Sequence, residues 1–358
     1  MTSSLWSSIV VGEIRLKHRV AMAPMTRDRA TAEGVPTQMN ATYYAQRASM
    51  ALIITEGTQP SDDGQGYLLT PGIYTTNQIA GWRLVTDAVH ESDGHIFIQL
   101  MHVGRMSHPS NTPHGRQPVG PSPVKPAGVL FTASGRQELP IPRELSEADI
   151  ADTIRDYRHA AASAIAAGAD GVEIHAANGY LLHQFLSSNA NVRSDDYGSS
   201  IANRIRFTVE VATAIAEEIG ASRTGIIISP GNKLNDIVEN DVPELYGALL
   251  QALGPIGLAY LNVVFEEDEG LIRDLRRDWK GIFFLNRPGT DIETRAKDIE
   301  EGLADVITVG TRSLANPDLI DRIKAHAPLN SPDPSTFYGG GEHGYTDYPT
   351  MESTFVSA

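Results

Sequence analysis

Short apolar runs rich in β-branched residues recur along the chain, and most are followed by a stretch in which apolar residues return every three or four positions. The runs fall at residues 20–24, 52–55, 95–99, 171–175, 225–229, 259–264, 281–285 and 305–309. Continuous apolarity marks strands covered on both faces, as in parallel sheet. Eight strand-then-helix units are the count of a closed (β/α)8 TIM barrel, an α/β fold. Helix ends are legible between them. Ser146-Glu147-Ala148-Asp149 has the form of a capping box, an apolar stripe continues through Ile150, Ile154, Tyr157, Ala161 and Ile165, and Gly168 supplies a stop. Ile205, Val209, Ala212 and Ile215 form a second stripe that Gly220 closes.

An open doubly wound sheet shares this alternation. Against it, no Gly-x-Gly-x-x-Gly follows an early strand, and polar residues gather after many strands rather than at one switch point. Two segments break the rhythm. Residues 12–19 alternate before the first strand and are expected to belong to a hairpin closing the barrel bottom. Residues 104–143 form a long Pro/Gly-rich capping excursion after the third strand, in which 129–131 and 139–141 are expected to pair. No linker divides the chain, so residues 1–358 are expected to form a single barrel domain.

Composition narrows the function. Hydrophobic content of 41% and charge of 20% are ordinary for a globular protein, and no apolar run reaches the roughly 20 residues of a membrane span. The first six residues lack a secretion signal, so a cytoplasmic protein is expected. A net charge of −15 without a basic stretch argues against nucleic acid as a partner. With no cysteine there is no thiolate nucleophile or iron–sulfur site, so redox chemistry requires an organic cofactor. The helices do not select between a monomer and a homo-oligomer.

Barrel enzymes place reactive groups at strand C-termini. Those ends read Met25 and Thr26, Glu56 and Gly57, Gln99 and His102, His175 and Asn178, Ser229, Phe265 and Glu266, Asn286, and Gly310. They contain no metal-spaced cluster and no Ser or Lys beside an activating base. The stretch from Gly171 to Tyr180 is the most informative, because His175, Asn178 and Tyr180 can each donate a hydrogen bond from one strand end.

In these residues the chain resembles the Old Yellow Enzyme family of flavin-dependent ene reductases. The resemblance rests on Met22-Ala23-Pro24-Met25-Thr26-Arg27, on Gln99-Leu100-Met101-His102-Val103-Gly104-Arg105, and on His175-Ala176-Ala177-Asn178-Gly179-Tyr180-Leu181-Leu182 running into Gln184-Phe185-Leu186. It continues through Asn191 to Gly198, Asn203-Arg204, Ala315 to Leu319 and Phe337-Tyr338-Gly339-Gly340. It implies non-covalent FMN across the barrel mouth, NAD(P)H as reductant, and an activated alkene as the small-molecule partner. By the same resemblance Pro24, Met25, Thr26, Gly57, Gln99, His175 and Asn286 would surround the flavin, and Gly310, Thr311 and Arg312 its phosphate. His175 and Asn178 would hold the substrate, Tyr180 would protonate it, and Tyr67, Met101 and Tyr338 would line its cavity.

The chemistry is coherent on physical grounds. Hydride addition to an enone builds charge on the carbonyl oxygen, which two fixed N–H donors stabilise. A Tyr hydroxyl can then protonate the far more basic carbanionic carbon. Three positions depart from the family. Ile227 stands where arginine is usual, and an arginine would stabilise negative charge on the reduced flavin; Lys233, in the next loop, is the candidate substitute. Thr311 directly follows the glycine, where arginine is frequent, with Arg312 one place later. Met101 replaces a common Trp. These departures leave an alternative open, a flavin-free or flavin-impaired member using His175, Asn178 and Tyr180 for acid–base isomerisation or cyclisation.

Overall fold

The computed structural model describes residues 4–265 and 267–351; Glu266, named above as a strand end, lies outside them. Eight parallel strands close on themselves: Val20–Met22, Ile53–Ile54, Ile96–Leu100, Gly171–Ala176, Thr224–Ile228, Tyr260–Val264, Phe283–Asn286 and Val306–Val309, the last pairing with the first. All eight expected strands are present, each within two residues or so of its expected place. The first is cut short because Pro24 has no N–H to extend the ladder.

Helices cover the outside. Glu147–Ala166 is capped by Ser146, whose side chain accepts from the Asp149 N–H, and Gly168 follows it at φ 96°. Ile201–Ile219 ends at Gly220, φ 94°. Outward strand residues such as Ile96, Ile98, Leu100, Val172 and Ile174 pack against these helices in one continuous core.

Inward residues alternate with them, as a barrel requires. The lowest inward layer is apolar and aromatic: Ala21, Phe97, Tyr260, Phe284 and Val306, with Tyr260 and Phe284 stacked at 4.2 Å between centroids. Gly171 and Gly225 make room for it, since a Cβ on either would collide with the ring of Phe97 or Tyr260. The expected hairpin, Ile9–Val11 with Ile14–Leu16, seals this end by burying Val11 and Leu16 against the same layer.

The excursion differs from expectation in its pairing. Val129–Thr132 pairs antiparallel with Gly135–Glu138, not with 139–141, and Val119–Gly120 pairs with Arg143–Glu144. A two-residue turn, Ala133-Ser134, followed by Gly135 at φ 92° brings the nearer segment back, whereas Pro140 and Pro142 interrupt any ladder through the farther one. Leu130 of this hairpin, with Leu139, packs on Met101, Val103 and Met106 after the third strand.

Candidate active site

The fourth strand delivers the central donors. His175 is its penultimate residue and is buried. Its Nδ1 accepts from the Ala177 N–H at 3.3 Å, so in the neutral ring Nε2 carries the proton. Burial pushes the imidazole pKa down to about 3, which keeps it neutral at working pH. Three residues on, Asn178 adopts a left-handed backbone, φ 55°, and its side-chain amide has no hydrogen-bond partner among the described residues. Its N–H donates to Ser229 Oγ at 2.8 Å and its carbonyl accepts from Asn235 Nδ2 at 2.8 Å, so the turn is pinned while the amide stays free. Tyr180 stands edge-on to His175, with 5.0 Å between ring centroids, and its hydroxyl lies 2.9 Å from that of Tyr67. Burial raises its pKa and keeps the phenol protonated.

Residues that sequence reasoning did not assign hold this turn in place. Gln184, fully buried, donates to the Val103 and Gly179 carbonyls at 2.9 and 2.8 Å and accepts from the Arg105 N–H at 3.0 Å, tying the third and fourth strand ends together. Gly179, φ 78°, allows the loop after the fifth strand to lie on it; a Cβ would meet Asn235 Cβ and the Leu234 carbonyl at 2.6 Å. Gln184 lies inside the motif quoted above, whereas Asn235 carries no local sequence signal.

Beneath the mouth lies a polar layer. Gln99 Nε2 donates to Glu173 Oε1 at 2.8 Å, and Asn262 Nδ2 to Glu173 Oε2 at 3.0 Å. The register that sets Glu173 beside Gln99 makes the first contact. Burial raises the Glu173 pKa to about 7. The Gln99 amide nitrogen is committed to the carboxylate, and its carbonyl oxygen has no hydrogen-bond partner among the described residues. On the fifth strand Ile227 is sealed against Ala177 and Val264, so no cation occupies that place. Lys233 is exposed and lines a recess of about 450 Å³ shared with Glu267 and Asp268, outside that apolar group.

The remaining positions ring the mouth. Pro24, Met25 and Thr26 follow the first strand, partly exposed. Gly57 is buried, and a Cβ there would collide with Met101, which packs with Tyr67 and Tyr180 around the Met101–Val103–Met106 group. Asn286 ends the seventh strand. Gly310 follows the eighth strand beside Met25, and Thr311 and Arg312 begin the short helix Thr311–Ala315. The Arg312 guanidinium makes no hydrogen bond or ion pair among the described residues, and its charge helps lower the pKa of the buried Arg295 to about 10, behind burial itself. Tyr338 is 67% exposed at the rim.

The NADH:flavin oxidoreductase / NADH oxidase family matches residues 4–330. The chain belongs to this family. A probable flavin mononucleotide-dependent alkene reductase of Leishmania infantum is 43% identical over 352 residues, covering 96% of each chain. 12-Oxophytodienoate reductase 1 of Oryza sativa subsp. japonica is 40% identical, over 96% of this chain and 92% of its own. Morphinone reductase superposes with a TM-score of 0.94 at 40% identity, covering 99% of both chains. The Old Yellow Enzyme homologue from Zymomonas mobilis gives 0.94 at 37% identity, over 97% and 99%. As a family member the protein is an FMN-dependent, NAD(P)H-dependent oxidoreductase, and the flavin-free alternative is set aside. The residues present fit the cofactor: among the described residues the Gln99 carbonyl lacks a partner and Arg312 is an uncommitted cation, and Gly57 and Gly310 present backbone alone. Among the described residues no helix is long and apolar enough to cross a membrane.

Proposed function

We propose that the protein reduces the double bond of alkenes conjugated to a carbonyl or nitro group, with NAD(P)H as the electron source. The observation that carries this reading is the pair of uncharged donors at the fourth strand end, His175 Nε2–H and the free Asn178 amide, with the Tyr180 hydroxyl beside them. FMN, when bound, supplies hydride-transfer chemistry that no side chain can. Thr26, Gly57 and the Gln99 carbonyl would hold its ring, and Gly310, Thr311 and Arg312 its phosphate.

His175 and Asn178 bind the substrate oxygen and stabilise the charge that develops on it. A neutral imidazole suits this task, because it donates without delivering its proton. Tyr180 gives its hydroxyl proton to the α-carbon. The Tyr67 hydroxyl, 2.9 Å away, then hydrogen-bonds the phenolate left on Tyr180 until solvent restores the proton. Burial of Met101 and the hydrophobic residues around it keeps the reacting centre dry.

The test is spectroscopic. Anaerobic NADPH should bleach the flavin band of the purified protein, and a cyclic enone should restore it. In His175→Ala/Asn178→Ala the bleaching should persist while reoxidation by the enone slows at least about 100-fold, as for loss of oxyanion donors. Reoxidation at an unchanged rate would overturn the assignment.

A further inference from the structure

The proposed reaction leaves unused one carboxyl group in the loop after the first strand. Asp28 lies in the loop leaving the first strand at φ 55°, and its Oδ1 is buried with no hydrogen-bond partner. Neither neighbouring guanidinium group donates to Asp28 Oδ1, although Arg27 Nη1 is likewise buried without a hydrogen-bond partner among the described residues. Arg27 donates to the carbonyls of Phe337 and Gly344, each at 2.9 Å, and Arg29 to those of Thr336 and Gly341 at 2.9 and 3.0 Å. Glu56, at the end of the second strand, accepts the Arg27 N–H at 3.0 Å and adds a like charge.

Backbone pairing on either side fixes the position of Asp28. The Ala30 N–H donates to the Leu69 carbonyl at 2.9 Å, and the Gly339 N–H to the Arg27 carbonyl at 3.0 Å. Asp28 is thereby held between the segments that carry Tyr67 and Tyr338, and Tyr67 touches Tyr180. Burial, then Glu56, raises its pKa to about 7 against the pull of Arg29 and Arg27. Its charge in turn is among the groups that raise the pKa values of Tyr67 and Tyr180, which puts both phenols within its electrostatic reach.

A carboxylate that lacks a donor and lies within electrostatic reach of phenol rings is the chemistry that receives an ammonium group. A cation supplies the missing donor and opposing charge, and aromatic faces attract it further. A neutral hydroxyl would satisfy one lone pair without adding an opposing charge. We propose that Asp28 is a specificity-determining residue that favours activated alkenes bearing a protonated amine, held by its carboxylate among Tyr67, Tyr180 and Tyr338. This assignment rests on the alkene-reductase reading above.

The experiment uses the FMN-loaded enzyme and a matched pair of substrates, a neutral cyclic enone and the same ring carrying a dimethylaminomethyl arm. Asp28→Asn keeps the side-chain volume and tolerates the left-handed backbone, and Asp28→Gly serves as a second variant suited to the same φ. The ratio of kcat/KM for amine over neutral enone should fall about tenfold or more in both, as for loss of a charged hydrogen bond. Calorimetry with the saturated amine, which requires no turnover, should show affinity weakened by a similar factor. A wild-type ratio no higher than that of the variants overturns the proposal. If neither enone is reduced, the reductase reading fails by itself, and equal calorimetric affinities then overturn the role of Asp28 independently.

Discussion

Burial acts in opposite directions on the two ionisable residues of the fourth strand, yet toward the same state. It lowers the pKa of His175 to about 3 and raises that of Glu173 to about 7, favouring the neutral form of each. The consequences for stability differ. A carboxyl whose pKa is raised on folding stabilises the fold most below its ordinary value near 4.5, and that contribution is lost as pH rises through about 7. Urea unfolding of wild type and Glu173→Gln should therefore diverge with pH: between pH 4 and pH 8 wild type should lose up to about 3 kcal/mol relative to the variant. Parallel pH profiles would show that Glu173 titrates normally. Ile227 offers a second test. Ile227→Arg places an unpaired cation among Ala177 and Val264 and should cost on the order of 3 kcal/mol in the FMN-free protein. Saturating FMN should restore part of that loss if the position faces the cofactor, and an equal loss with and without FMN would show that it does not.

At the scale of the element, the proposed role of the turn from Ala177 to Tyr180 depends on neighbouring loops that grip its backbone while the Asn178 amide keeps no partner among the described residues. Ser229 and Asn235 take the main-chain groups of Asn178, and Gln184 takes the carbonyl of Gly179. Gln184→Ala removes three hydrogen bonds from a fully buried site and should cost about 2–4 kcal/mol of stability. Its signature should be kinetic as well. Enone reduction should slow in stopped flow while flavin reduction by NADPH changes little, because the loosened turn carries Asn178 and Tyr180; slowing of both alike would mean a general collapse of the mouth. The hairpin from Val129 to Glu138 belongs to the same scale, since its Leu130 closes over Met101.

Over the whole molecule the barrel separates stability from chemistry along its axis. Its lower end is a dry aromatic layer under a hairpin, its middle a polar layer around Glu173, and its upper end the ring of proposed site residues. Gly12, φ 55°, turns the hairpin where a Cβ would collide with the Ser222 carbonyl. Gly12→Val should therefore lower the thermal midpoint by several degrees, roughly the effect of about 2 kcal/mol. Below the transition, kcat/KM for an enone should stay within about twofold of wild type, because reactivity resides at the opposite face. A large loss of kcat/KM at low temperature would contradict this separation.

Local sequence determined much of this protein. Strand number and placement follow from apolar runs that must be covered on both faces, helix ends from caps such as Ser146 and Gly220, and the trio His175, Asn178 and Tyr180 from its fixed spacing after a strand. Departures such as Ile227 were equally legible, because a missing charge is a property of one position. Only the tertiary structure decided which groups meet. Glu173 reads locally as one more residue of a buried strand, and its partnership with Gln99 and Asn262 exists only through inter-strand register. Asn235 reaches Asn178, and Asp28 comes to lie between the segments that carry Tyr67 and Tyr338, across long sequence separations. Periodicity reports the face a residue presents, whereas the partner it finds there depends on barrel closure and loop docking, which bring together segments that share no local signal.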